Sequence, residues 1–266
     1  MTQTTRTRAT LLTLMGLVAL QLPVATLLAL LLPDASVNPE VNYVASALLT
    51  VVLYGLPGWL LTPTWQNASD QPGKPALWCI LAAGAACVAR LVTTPLNAWW
   101  TGLVNAPVSP LPQAEGPLGI ALMVLAVAVL PAVAEELFFR GALLTNLLRA
   151  GSRWQALLLT ALMFALMHGS LAGLPGHLLI SLLLTLVMMH SGQLAVPIIA
   201  HMAYNLLALP GWQTGPVVPW IAGGLLLALL LVLALRLPRG KTRRLPVEEC
   251  LLCGAILVLM ALRYLI

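Results

Sequence analysis

Apolar residues fill this chain in long unbroken runs, and polar residues collect between the runs. A run of about twenty apolar residues matches a helix that crosses a hydrocarbon core of ~30 Å. The pattern predicts helices near 10–32, 41–61, 77–98, 118–148, 154–169, 174–189, 194–209, 217–237 and 250–265. That makes eight or nine spans, because the last is short, ends in Arg263 and suits an interfacial position equally well. Trp59, Trp65, Trp78, Trp99, Trp100, Trp154, Trp212 and Trp220 fall mostly near span ends, where amphipathic rings sit at the lipid–water boundary. The fold class read from this pattern is all-α. We read residues 1–266 as a single membrane domain, a polytopic bundle of eight or nine transmembrane helices without an internal repeat.

Composition strengthens this reading. Of 266 residues, 60% are hydrophobic and 8% charged, against about a quarter charged in a soluble domain. Net charge is +5, which in a membrane protein reports orientation and contact with anionic headgroups, not nucleic acid. Arg6 and Arg8, Lys74, Arg149 and Arg153, and the cluster from Arg236 to Arg244 mark one set of loops. Asp34, Glu40 and Glu115 mark the other. The positive-inside rule then places the N-terminus in the cytoplasm. The first run is longer than a signal-peptide core of ~7–15 residues and lacks a small-residue cleavage site, so it reads as a retained span. The acceptor pattern Asn67-Ala-Ser69 would be cytoplasmic and reads as accidental. Cys79, Cys87, Cys250 and Cys253 read as small core residues, with no disulfide framework.

Against this background two glutamates and an arginine stand out: Glu135, Glu136 and Arg140, inside the apolar stretch PAVAEELFFRG. A charge at the centre of a membrane helix costs ~2.5–3.5 kcal/mol on the insertion scale, so such residues mark functional sites. Glu136 and Arg140 are four apart with the glutamate first, the favoured order for a helical ion pair. Glu135 lies ~100° further round the helix. It is therefore free to face something else, and a carboxylate without its own cation suits general acid–base work. Pro131, one turn earlier, is expected to break or kink the helix and open space for water.

Histidines supply the partners. The fourth and fifth spans form a hairpin about a turn at 149–153. Glu135 precedes that turn by fourteen residues and His168 follows it by fifteen, which puts both ~21–22 Å from it at 1.5 Å per residue. In the seventh span His201 and Asn205 share one helix face. Two convergent donors there can hold a developing oxyanion. His177 and His190 read as ordinary packing or interface residues.

These residues form three spaced motifs: Glu135-Glu136-x-x-x-Arg140, Phe164-x-x-x-His168 and His201-x-x-x-Asn205. In that order, on separate membrane helices, they resemble the motif set of the CAAX protease and bacteriocin-processing family, also called the Abi family. The resemblance covers about residues 118–209, the expected catalytic core. It implies an intramembrane endopeptidase of the glutamic type in a bacterial inner membrane, acting on a membrane-associated protein or peptide. Glu135 and His168 would activate a water, His201 and Asn205 would stabilise the oxyanion, and Glu136 and Arg140 would support the site without metal or other cofactor. Two other readings stay open. Glu135, His168 and His201 could ligate zinc in a metal-dependent membrane protease. The cluster could also serve a non-enzymatic transport or bacteriocin-immunity protein.

Overall fold

A computed structural model describes residues 3–31, 38–62, 75–108, 113–209, 218–237 and 244–264. The Asn67–Ser69 pattern, Asp34, Trp65, Lys74, Trp212 and residues 239–243 lie outside them. Among the described residues there are nine continuous helices and no strand. They are α1 (Gln3–Leu31), α2 (Pro39–Leu61), α3 (Pro75–Val104), α4 (Gly116–Ala150), α5 (Arg153–Met167), α6 (Leu174–Ser191), α7 (Ala195–Leu206), α8 (Val218–Leu235) and α9 (Val247–Leu262). The protein is an all-helical integral membrane protein. Six helices (α1–α4, α6 and α8) contain stretches long and apolar enough to cross a membrane. At 1.5 Å per residue α5 spans ~22 Å and α7 ~18 Å, too short to cross alone.

Local chemistry sets the helix ends. The Asn38 side chain caps α2 by accepting from the Glu40 and Val41 amides. Ser152 and Gln155 form a reciprocal capping box at the start of α5. Gly192, at φ +64°, terminates α6 in the left-handed conformation that glycine adopts without strain.

Pro131 does not break α4. The helix runs unbroken through all its 35 residues, and a wide π-type turn at Leu125–Val129 lies just before the proline. A proline removes one amide donor and crowds the carbonyl four residues back. Widening the preceding turn relieves that crowding while keeping the chain helical. A second wide stretch, Leu137–Leu144, follows the glutamates directly.

The basic loops gather on one face. Arg8 pairs with Glu248, and with the buried Glu249 at 3.1 Å, joining the start of α1 to the start of α9. Arg153 donates to Leu237 O (2.8 Å). Gln155 Oε1 accepts from Leu245 N (3.1 Å), and His190 Nε2 lies 3.2 Å from Arg236 O. The starts of α1, α5 and α9 and the ends of α6 and α8 therefore share a side, as the charge pattern requires. Leucines 225, 227, 231 and 235 of α8 are exposed. On a soluble protein such a face would be an aggregation hazard; in a bilayer it meets lipid tails. The core sits around α6, which packs against α3, α5 and α7.

Candidate active site

The site forms where α4 meets α5, α6 and α7. Small residues let the neighbours approach α4 closely: Ala128 and Ala132 are fully buried and Ala134 nearly so. From α2, a Cβ placed on Gly55 would lie 3.5 Å from Ala134 Cβ. One on Gly58 would lie 2.6 Å from the Phe138 amide nitrogen. Only glycine fits at Gly58, so α2 lies flush against α4 beside the glutamates.

The adjacent glutamates face different partners. Glu136 and Arg140 are both fully buried and form an ion pair at 2.7 Å. His201 Nδ1 lies 2.9 Å from the same Glu136 oxygen. A carboxylate oxygen only accepts, so His201 donates from Nδ1. Its Nε2 then carries a proton only when the ring is an imidazolium. Arg140 also donates from Nη2 to Ser181 O (3.1 Å) and Ser181 Oγ (2.8 Å), with Thr185 Oγ1 at 3.5 Å. Its guanidinium lies 4.5 Å from the centre of the Phe164 ring.

Glu135 and His168 form the second pair. His168 Nε2 is 3.7 Å from Glu135 Oε2, and their side chains are 26% and 14% exposed, unlike the sealed Glu136–Arg140 pair. His168 Nδ1 is 2.8 Å from Phe164 O. A carbonyl cannot donate, so that nitrogen carries the proton. In the neutral ring Nε2 presents a lone pair towards Glu135. A cavity of about 180 Å³ opens on this pair, lined by Gln21, Tyr54, Glu135, Phe139, Met167 and His168.

The three phenylalanines of the chain hold the two pairs in place. Phe138 and Phe139 meet edge to face at 5.3 Å, as do Phe139 and Phe164 at 5.0 Å. Phe164 also touches His168 (4.7 Å) and His201 (5.7 Å). The apolar letter of the second motif is thus the packing hub of the site.

Among the six residues singled out from sequence, the structure brings together Glu135 with His168, and Glu136 with Arg140 and His201. Asn205 is half-buried one turn beyond His201. No hydrogen bond ties it to the other five among the described residues, and neither it nor His201 is on the cavity lining. His177, read above as bland, stacks on His168 with ring centres 4.0 Å apart and planes 23° apart. Sequence reasoning also missed Ser181 and Thr185, although two polar residues four apart on an apolar helix repeat the signal used for His201 and Asn205. Among the described residues no three His, Cys, Asp or Glu side chains cluster as metal ligands.

Carboxylates met by histidines from neighbouring membrane helices make a site suited to acid–base chemistry within the membrane. Residues 117–207 match the sequence profile of a family described as type II CAAX prenyl endopeptidase Rce1-like. That description falls within the family of membrane proteases that the three motifs resemble, and the match covers about a third of the chain. No curated protein and no solved structure matches the chain.

Proposed function

We propose that this protein is a glutamic-type intramembrane endopeptidase that cleaves a membrane-associated protein or peptide with water activated by Glu135 and His168. The observation that carries the reading is the Glu135–His168 pair, 3.7 Å apart and open to a cavity. That spacing is longer than a direct hydrogen bond and suits a shared water. Glu135 Oε2 and His168 Nε2 are both acceptors, so one water can donate a hydrogen to each. Its oxygen lone pair is then left to face a peptide carbonyl.

On attack the water oxygen bonds to the carbonyl carbon, and the carbonyl π electrons move to oxygen. The water's proton passes to Glu135. When the C–N bond breaks, that proton returns to the departing amine, and Glu135 is a carboxylate again. Glu136 and Arg140 anchor α4 to α6 and hold His201. By analogy with the family, His201 and Asn205 are donors to the oxyanion, although both stand back from the cavity lining in this structure. The site lies ~22 Å along α5 from the basic face, past the middle of a ~30 Å core. With the N-terminus cytoplasmic, the site opens nearer the outer leaflet.

The zinc reading needs Glu135, His168 and His201 around one ion. His201 turned to Glu136 favours the metal-free route. Metal analysis of active protein, with turnover assayed in chelator, separates the two. Stoichiometric zinc required for turnover would refute the metal-free mechanism. The proteolytic reading itself is tested by mass spectrometry of protein termini in membranes with and without this chain. New termini that depend on the chain are expected, and their absence would refute it.

A further inference from the structure

The cavity beside Glu135 contains a group that the motifs do not account for. Tyr54 lies in the wide turn Val51–Gly55 of α2. Its ring packs against Phe138 (6.3 Å) and Phe139 (6.2 Å), the two residues between Glu136 and Arg140 nearest the arginine. Gly55 and Gly58 follow this position and seat α2 on the α4 backbone. The ring is therefore held against α4, and its charged neighbours are Glu135 and Arg263.

The other lining residues narrow the choice of donor. Glu135 is an acceptor when ionised, and His168 Nε2 is an acceptor while Nδ1 bonds Phe164 O. Phe139 and Met167 offer no O–H or N–H side-chain donor. The Gln21 amide gives one of its two N–H groups to Met167 O at 3.4 Å. No hydrogen bond joins the Tyr54 hydroxyl to another described residue. A carbonyl entering this cavity to meet the Glu135–His168 water develops negative charge on its oxygen, and a fixed O–H donor stabilises that charge more than the neutral carbonyl.

We propose that Tyr54 is a further catalytic residue, whose hydroxyl donates a hydrogen bond to the substrate carbonyl oxygen as it becomes an oxyanion. The phenol keeps its proton throughout, so the balance of the hydrolysis is unchanged. The inference rests on the proteolytic reading above and adds a donor on α2, outside the segment that matches the family.

The test uses full-length protein in proteoliposomes. The probe is a quenched synthetic version of the membrane peptide whose new terminus depends most strongly on the wild-type chain. Tyr54→Phe keeps the ring against Phe138 and Phe139 and removes only the hydroxyl. Loss of one oxyanion donor lowers kcat by roughly 10²–10³-fold. That loss is expected with KM within about threefold and an unchanged melting temperature. A kcat within threefold of wild type would overturn the proposal. A loss confined to KM, or one matched by a lower melting temperature, would also overturn it by assigning the hydroxyl to docking or packing. Glu135→Gln, run in parallel, separates the two claims. If it is inactive while Tyr54→Phe turns over normally, only the tyrosine assignment fails. If no terminus depends on the wild-type chain, both fail.

Discussion

Glu136→Ala is the substitution whose cost follows most directly from the structure. The carboxylate is sealed from solvent and one of its oxygens takes bonds from both Arg140 (2.7 Å) and His201 (2.9 Å). Its removal leaves Arg140 as a buried cation with only Ser181, Thr185 and the Phe164 ring around it. Breaking a buried ion pair from one side costs about 3–5 kcal/mol. The Ser181 bonds hold the value to the lower end, about 3 kcal/mol, which is a factor of roughly 150 in the folding equilibrium. The assay is reversible unfolding of the purified protein in mixed micelles, followed by tryptophan fluorescence. Replacing both partners, as Glu136→Leu with Arg140→Met, removes the stranded charge and should recover most of the loss, because paired removal of buried ions is near neutral. A Glu136→Ala protein within 1 kcal/mol of wild type would refute the clamp. So would a double variant no more stable than Glu136→Leu alone.

Three further outcomes follow from the same geometry. Gly58→Ala should destabilise the fold by about 1–3 kcal/mol and lower turnover, since the new Cβ meets α4 backbone at 2.6 Å; a thermal melt with activity checks both. Ser181→Ala should cost about 1.5–3 kcal/mol, the range for a hydrogen bond to a charged group, and less than Glu136→Ala in the same unfolding assay. His177→Ala should lower kcat several-fold by freeing the His168 ring, whereas His177→Phe keeps a flat ring in the stack and should remain near wild type.

The sequence carried the helical layout well because apolar run length has a direct physical meaning in a bilayer. The hairpin ruler worked for a similar reason. A fixed rise per residue on both sides of the 149–153 turn puts Glu135 and His168 at one depth, and the structure separates them by 3.7 Å. The ion pair of Glu136 and Arg140 was legible from its spacing alone. The remaining contacts join distant parts of the chain. His201 bonding to Glu136, His177 stacking on His168, and Tyr54 reaching the cavity all depend on how helices rotate against one another, which periodicity leaves open on helices apolar all round. Pro131 was misleading because a proline marks a lost hydrogen bond without saying how the helix absorbs it. Here a wide turn at Leu125–Val129 replaces the expected break. The family profile covers 117–207 and so omits α2, where Tyr54 lies.

The central claim is that Glu135, and not its sealed neighbour, performs the chemistry. Its most direct test compares wild type with Glu135→Gln, purified in proteoliposomes, on the peptide that wild type cleaves. Glu135 holds no ion pair with Arg140 and lines the open cavity. The variant should therefore insert, melt like wild type and lose detectable cleavage. Cleavage by Glu135→Gln at the wild-type rate would contradict the account.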